Sequence, residues 1–168
     1  MQPIDDHVDH VRGAPGGKVI LVYGDFECPY TRQAYREIQS VEDKMRDRVR
    51  FAFRHFPLTE IHPHAMAASK AAEAAAAQGR YWEMHDMLFH RQKALEDGDL
   101  RSYAKDLGLD LDAFDGDRNS DAVAKRIQRD VDSGDDTGEV FGTPTLFIEG
   151  KVHRASYDAA TIIEALGT

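Results

Sequence analysis

Apolar and polar positions divide the chain into three stretches with different periods. In the first, Lys18-Val-Ile-Leu-Val-Tyr-Gly24 is apolar on both faces, the pattern of a strand buried between two layers. Ahead of it, His7 to Arg12 suits a short edge strand, and Ala14-Pro15-Gly16-Gly17 suits a turn. Beyond it, Ala34, Tyr35, Ile38, Val41 and Met45 share one face at helical spacing, and Pro29 fits the first helical position. Val49, Phe51 and Phe53 then alternate with Arg50 and Arg54 in a second strand that runs to Phe56. Strand, helix and strand form a βαβ unit, expected to cross over right-handed.

The middle stretch is helical in period. Alanine dominates His64 to Gln78, with Gly79 as the stop. Tyr81 to Gln92 carries Trp82, His85, Leu88 and Phe89 on one face, and Leu100 to Leu107 marks a short helix closed by Gly108. Val123, Ile127 and Val131 line up within Asp121 to Asp132, and a polar, solvated turn is expected from Ser133 to Glu139. The last stretch returns to strand signals. Gly142-Thr-Pro-Thr-Leu-Phe-Ile148 has its proline at the start, Glu149-Gly150 suits a tight hairpin, and Lys151-Val-His153 follows. A helix ending near Leu166, capped by Ser156 or Asp158, closes the chain with Ile162, Ile163 and Leu166 inward. The order is βαβ, an all-helical insertion over about residues 60–135, then ββα: one α/β domain spanning 1–168.

Charge narrows the partners. Thirty acidic residues against 21 basic ones give a formal charge of −9, with no basic stripe, so nucleic acid is not expected as a partner. No apolar run reaches the roughly 18 residues that cross a bilayer, and no membrane association is expected. Met1 to Arg12 lacks an apolar export core, which predicts a cytoplasmic protein if Met1 is the start. Eight histidines invite a metal, but no second cysteine or carboxylate cluster completes a set in the sequence. Caps and packing account for them better, and no metal or bound cofactor is expected.

The single cysteine changes the picture most. An internal disulfide is impossible, so any redox cycle needs a thiol from another molecule. Cys28 stands between a buried strand and a helix start, where free N–H groups and the helix dipole favour a thiolate, the nucleophilic form. Pro29 stiffens the first turn, and the N–H and hydroxyl of Thr31 are placed to point back at the sulfur. Glu27 opposes this by its charge, unless it turns to solvent. Asp25 is a candidate proton acceptor whose face is not assigned by pattern. Phe26 and Tyr30 flank the thiol and are candidates to frame a substrate groove, Phe26 equally for the core.

Tyr23-Gly-Asp-Phe-Glu-Cys-Pro-Tyr-Thr31, together with Gly142-Thr-Pro-Thr145, resembles the DsbA-like branch of the thioredoxin superfamily. The likeness continues through Phe53-Arg-His-Phe-Pro-Leu58, His62-Pro-His-Ala65 and Gln78-Gly-Arg-Tyr-Trp-Glu-Met-His85, and covers nearly the whole chain. It implies a thioredoxin fold with a helical insertion, Cys28 as the attacking cysteine, and Pro144 as a cis-proline facing it. It further implies that the backbone of Thr143 pairs with an extended substrate, with Pro29 and Tyr30 alongside. One departure stands out: the family's second cysteine is replaced by Thr31, which puts direct dithiol oxidase activity in doubt. The pattern implies a monothiol oxidoreductase, whose mixed disulfide with a disulfide-containing or glutathionylated protein, or a small thiol, is resolved by an external thiol such as glutathione. Two alternatives remain at this point: a binding module for extended peptides without turnover, and a kappa-type glutathione transferase or isomerase, against which Cys28 counts because those relatives carry serine there.

Overall fold

The computed structural model describes residues 2–167; Met1, on which the cytoplasmic expectation turns, and Thr168 lie outside them. Five strands form one sheet in the order β1-β3-β2-β4-β5. These are β1 (His10–Gly13), β2 (Lys18–Gly24), β3 (Val49–His55), β4 (Thr145–Ile148) and β5 (Lys151–His153). β2 and β3 run parallel, with Lys18 opposite Val49 and Gly24 opposite His55, and the other pairs are antiparallel. The both-faced apolar run is therefore the central strand: Ile20 to Tyr23 are buried throughout. One face carries the main core, with Ile20, Val22, Phe51 and Phe53, and the other a smaller cluster around Leu21, Tyr23, Ala52 and Phe147.

α1 (Pro29–Met45) joins β2 to β3 and buries Ala34, Tyr35, Ile38, Val41 and Met45, the face its spacing predicts. Between β3 and β4 lie α2 (Ala65–Ala76), α3 (Tyr81–His90), α4 (Asp97–Asp106), α5 (Leu111–Arg118) and α6 (Asp121–Asp135); α7 (Ala159–Leu166) closes the fold. α2 is buried on nearly every side, and its alanines let α3, α4, α5 and α6 all pack against it. Asp158, one of the two expected caps, accepts the Thr161 N–H at the start of α7.

Two expectations need correction. No helix was expected between Gly108 and Asp121, yet α5 forms there, with the Asp110 carboxylate accepting the Ala113 N–H as its cap. The stretch from Ser133 does not begin a solvated turn. α6 runs on to Asp135 and buries Ser133 and Gly134, because these small residues sit under Tyr23 and Phe56. A Cβ at Gly134 would meet the Phe56 ring at 3.0 Å.

Buried charge ties the N-terminal segment down. Arg54 on β3 grips Asp9 with two hydrogen bonds of 2.8 and 2.9 Å, and neither side chain is exposed. Burial works against the Asp9 carboxylate, but the Arg54 contacts outweigh it and lower its pKa to about 2.

Candidate functional site

Gly24 ends β2 where a side chain has no room: a Cβ there would lie 2.5 Å from the Phe53 ring and 2.8 Å from the Thr31 methyl. The chain then bends through Asp25–Glu27, and Cys28 becomes the N-cap of α1 with Pro29 following as predicted. The Cys28 side chain takes no hydrogen bond from the helix N–H groups. Its Sγ instead approaches the Thr143 carbonyl oxygen at 3.3 Å, so that the thiol donates to that oxygen. The Thr143–Pro144 peptide is cis. Residues 28 and 143–144, far apart in sequence, therefore share one site.

Cys28 is 3% exposed, while Pro29 and Tyr30 beside it stand out in solvent, Tyr30 at 63%. Thr143 and Pro144 are half-buried, and the Thr143 hydroxyl is buried without a hydrogen-bond partner. Phe141, just before this loop, is 83% exposed. Tyr157, which no sequence signal singled out, lies against this site. Its phenol pKa is raised first by burial, then by the proximity of Cys28 and Tyr30.

Two sequence expectations fail here. Phe26 frames no groove: it is fully buried, stacked on Phe53 at 5.2 Å and packed against Phe89 at 5.0 Å. The next residue begins the turn to α1, and the ring is left on the core side of the sheet. The Thr31 hydroxyl does not point at the sulfur. Thr31 is buried at 1%, and its Oγ1 accepts the Asp25 N–H at 3.4 Å.

Asp25 acts as the pin of the loop. Its fully buried carboxylate accepts the N–H groups of Glu27 at 2.7 Å and Cys28 at 3.2 Å through Oδ1. Through Oδ2 it accepts the Leu58 N–H and His62 Nδ1, both at 2.8 Å. Glu27 does not turn freely to solvent: it accepts the backbone N–H of His64 at 2.7 Å and its Nδ1 at 2.9 Å, fixing the entry to α2. From the helical insertion, Gln92 Nε2 donates to the carbonyls of both Phe26 and Cys28, at 2.8 and 2.9 Å. The loop is held from below by a carboxylate and from the side by an amide.

Behind this loop the fold assembles a group that residue spacing hid. His10 on β1 and His55 on β3 each donate through Nε2 to Glu73 Oε1 on α2, both at 2.7 Å. Their ligand atoms lie within 4.8 Å of one another, a set of the two-histidine, one-carboxylate type that metals use. Burial alone would raise the Glu73 carboxyl, but the two imidazoles outweigh it and hold it well below the usual carboxylate range. The nearby His85 sits in an aromatic cage of Phe26, Tyr35, Phe53 and Phe89. Burial lowers its pKa to about 4 against the opposing pull of Asp86.

The chain resembles known proteins over nearly its whole length. A family profile described as thioredoxin matches residues 5–167. Over 167 residues the chain is 46% identical to a protein named Na(+)/H(+) antiporter NhaA 1 from Salinispora arenicola, covering 99% of this chain and 25% of that protein. The chain spans about a quarter of the length of the curated relatives it matches. Among solved structures, a thioredoxin-like oxidoreductase from Silicibacter pomeroyi superposes with a TM-score of 0.84 at 25% identity, covering 95% of this chain and 91% of that one. Oxidised BdbD from Bacillus subtilis gives a TM-score of 0.83 at 19% identity over 96% and 92% of the two chains, a likeness of fold.

Proposed function

Because the chain belongs to the thioredoxin family, we propose that it acts as a single-cysteine, DsbA-like thiol–disulfide oxidoreductase in which Cys28 works alone, through a mixed disulfide that an external thiol resolves. The observation that carries this is the 3.3 Å approach of Cys28 Sγ to the Thr143 carbonyl beside the cis Thr143–Pro144 peptide. It sets the one thiol of the chain against a stretch of backbone where an extended substrate can add strand-like hydrogen bonds. Position 31, where a resolving thiol would stand, holds a threonine committed to the Asp25 N–H.

The steps follow from that count of one. The Cys28 thiolate attacks one sulfur of a substrate disulfide, the substrate S–S bond breaks, and the leaving thiolate takes a proton from solvent. A small thiol such as glutathione then attacks the mixed disulfide and frees Cys28. The natural partners on this reading are disulfide-containing or glutathionylated proteins and small thiols, with glutathione as co-substrate rather than bound cofactor.

Mass measurement after incubation with oxidised glutathione tests the reading. One glutathione is expected on the wild type, removed again by excess reduced thiol, and none on Cys28→Ser. A wild type that acquires no adduct from any small disulfide would overturn the reading. One observation favours a second reading, a peptide-binding module without turnover: Cys28 is only 3% exposed. On that reading Cys28→Ser retains full affinity for a captured peptide, and the wild type turns over no disulfide.

A further inference from the structure

Attack by Cys28 requires that the rest of the disulfide be held while its sulfur is reached. On the α3–α4 side of the thiol lies a cavity of about 350 Å³ lined by Arg32, His90, Arg91, Gln92, Lys93 and Ala94. Its volume falls within the roughly 300–1,000 Å³ common to small-molecule sites. No carboxylate lines it, in a chain where acidic residues outnumber basic ones 30 to 21.

The cavity is built onto the nucleophile's own residue. Gln92, which lines it, donates through Nε2 to the Cys28 carbonyl at 2.9 Å, the oxygen that also accepts the backbone N–H of Arg32 at 3.1 Å in the first helical bond of α1. Arg32 lies one helical turn beyond Cys28, so their Cβ atoms are about 6 Å apart on one face of α1. A peptide of two or three residues, about 10 Å long when extended, spans that interval.

The cations there differ in their commitments. Arg91 is paired with Asp106 at 3.2 Å and lies over the Tyr103 ring. Neither Arg32 nor Lys93 pairs with a carboxylate among the described residues, and Arg32 Nε is buried with no hydrogen-bond partner. A buried guanidinium N–H lacking an acceptor is costly, and the group that matches its planar fork is a carboxylate.

We propose that this cavity receives the carboxylate of a small anionic thiol or disulfide, of the glutathione kind, with Arg32 and Lys93 as its contacts. The inference rests on the monothiol reading and sets the substrate class of that same thiol. In the reaction, the thiolate of Cys28 displaces one half of the small disulfide as a thiolate, which is protonated by solvent. The half left on Cys28 keeps its carboxylate in the cavity until a second molecule of the same thiol attacks its sulfur. That step restores the small disulfide and the Cys28 thiolate, and no other oxidant or reductant is needed.

The test compares adduct formation on Cys28 by oxidised glutathione, neutral 2-hydroxyethyl disulfide and cationic cystamine. Each is followed by mass spectrometry for the wild type, Arg32→Glu/Lys93→Glu and Arg32→Gln/Lys93→Gln. Charge reversal is expected to cut the rate with oxidised glutathione, relative to the neutral disulfide, at least about tenfold, the scale of one lost charge-assisted contact. The ratio for cystamine should rise, and the glutamine pair should fall between. Lys125→Glu/Lys151→Glu makes the same change in net charge away from the cavity and should hold the ratio within about twofold. An unchanged ratio in the reversed variant, or an equal fall in the control, overturns the inference while leaving Cys28 reactive. Should even the neutral disulfide leave the wild type unmodified, the reading of Cys28 itself fails.

Discussion

Replacing Asp25 by asparagine keeps its size and removes its charge, and it tests what holds the thiol loop. The carboxylate accepts four hydrogen bonds and donates none: Glu27 N–H, Cys28 N–H, Leu58 N–H and His62 Nδ1. An amide supplies only one acceptor oxygen. If that oxygen serves Glu27 and Cys28, the NH₂ group faces the Leu58 N–H, and donor meets donor. His62 escapes the same conflict by exchanging its ring proton between nitrogens. One orphaned, half-buried N–H costs about 1–2 kcal/mol, and two charge-assisted bonds reduced to neutral ones cost about 1 kcal/mol together. Asp25→Asn should therefore lose about 2–3 kcal/mol, measured by urea unfolding at neutral pH. Within a stability of about 5–15 kcal/mol the variant stays folded. Adduct formation on Cys28 by a neutral disulfide should slow in the same variant, since Cys28 loses part of its anchor. A loss below about 1 kcal/mol with unchanged adduct kinetics would show that the loop holds its shape without the carboxylate.

Further outcomes follow from other contacts. His85 has its pKa lowered from 6.5 to about 4, so between those values the unfolded chain binds a proton that the folded one refuses. Stability contributed by this residue is present above pH 6.5 and falls away toward pH 4, by about 3 kcal/mol in all. Urea unfolding of His85→Phe at both ends of that window should show the acid-induced loss reduced by that amount, and an undiminished loss would refute the assignment. Gln92→Ala removes the donor shared by the Phe26 and Cys28 carbonyls and should cost about 1–2 kcal/mol by the same assay. Thr31→Cys places a second sulfur one helical turn from the first, at a Cα separation of about 5 Å that a disulfide spans. An oxidant should close that bond and confer dithiol exchange, and two thiols persisting by mass and alkylation would contradict the geometry at the helix start.

Much of the fold was legible because single elements carry strong local patterns. β2 is apolar on both faces and proves central; α1 buries the five residues its period selects. α5 escaped because Leu111-Asp-Ala-Phe-Asp-Gly-Asp-Arg118 has few apolar positions and a glycine inside, though Asp110 stood before it as a cap signal. The length of α6 escaped for another reason. Ser133 and Gly134 look like turn residues, and only the rings of Tyr23 and Phe56 above them explain their burial. At the site, the helix start at Cys28-Pro29 was readable locally, while its meeting with Pro144 came from family resemblance. Asp25 was noticed without its face, and Gln92, Tyr157 and Glu73 act across distances no local pattern reports. Phe26 was half misread, since a flanking position says nothing about which side of the chain the ring takes.

The alanine helix α2 has an implication for how this protein tolerates change. Its interior volume is supplied by its neighbours rather than by its own side chains, so every wall of that space belongs to a different helix. A larger residue at Ala68, Ala71, Ala72 or Ala75, each wholly enclosed, has no single partner that can step aside. The plainest letters in the chain are thus among the hardest to exchange.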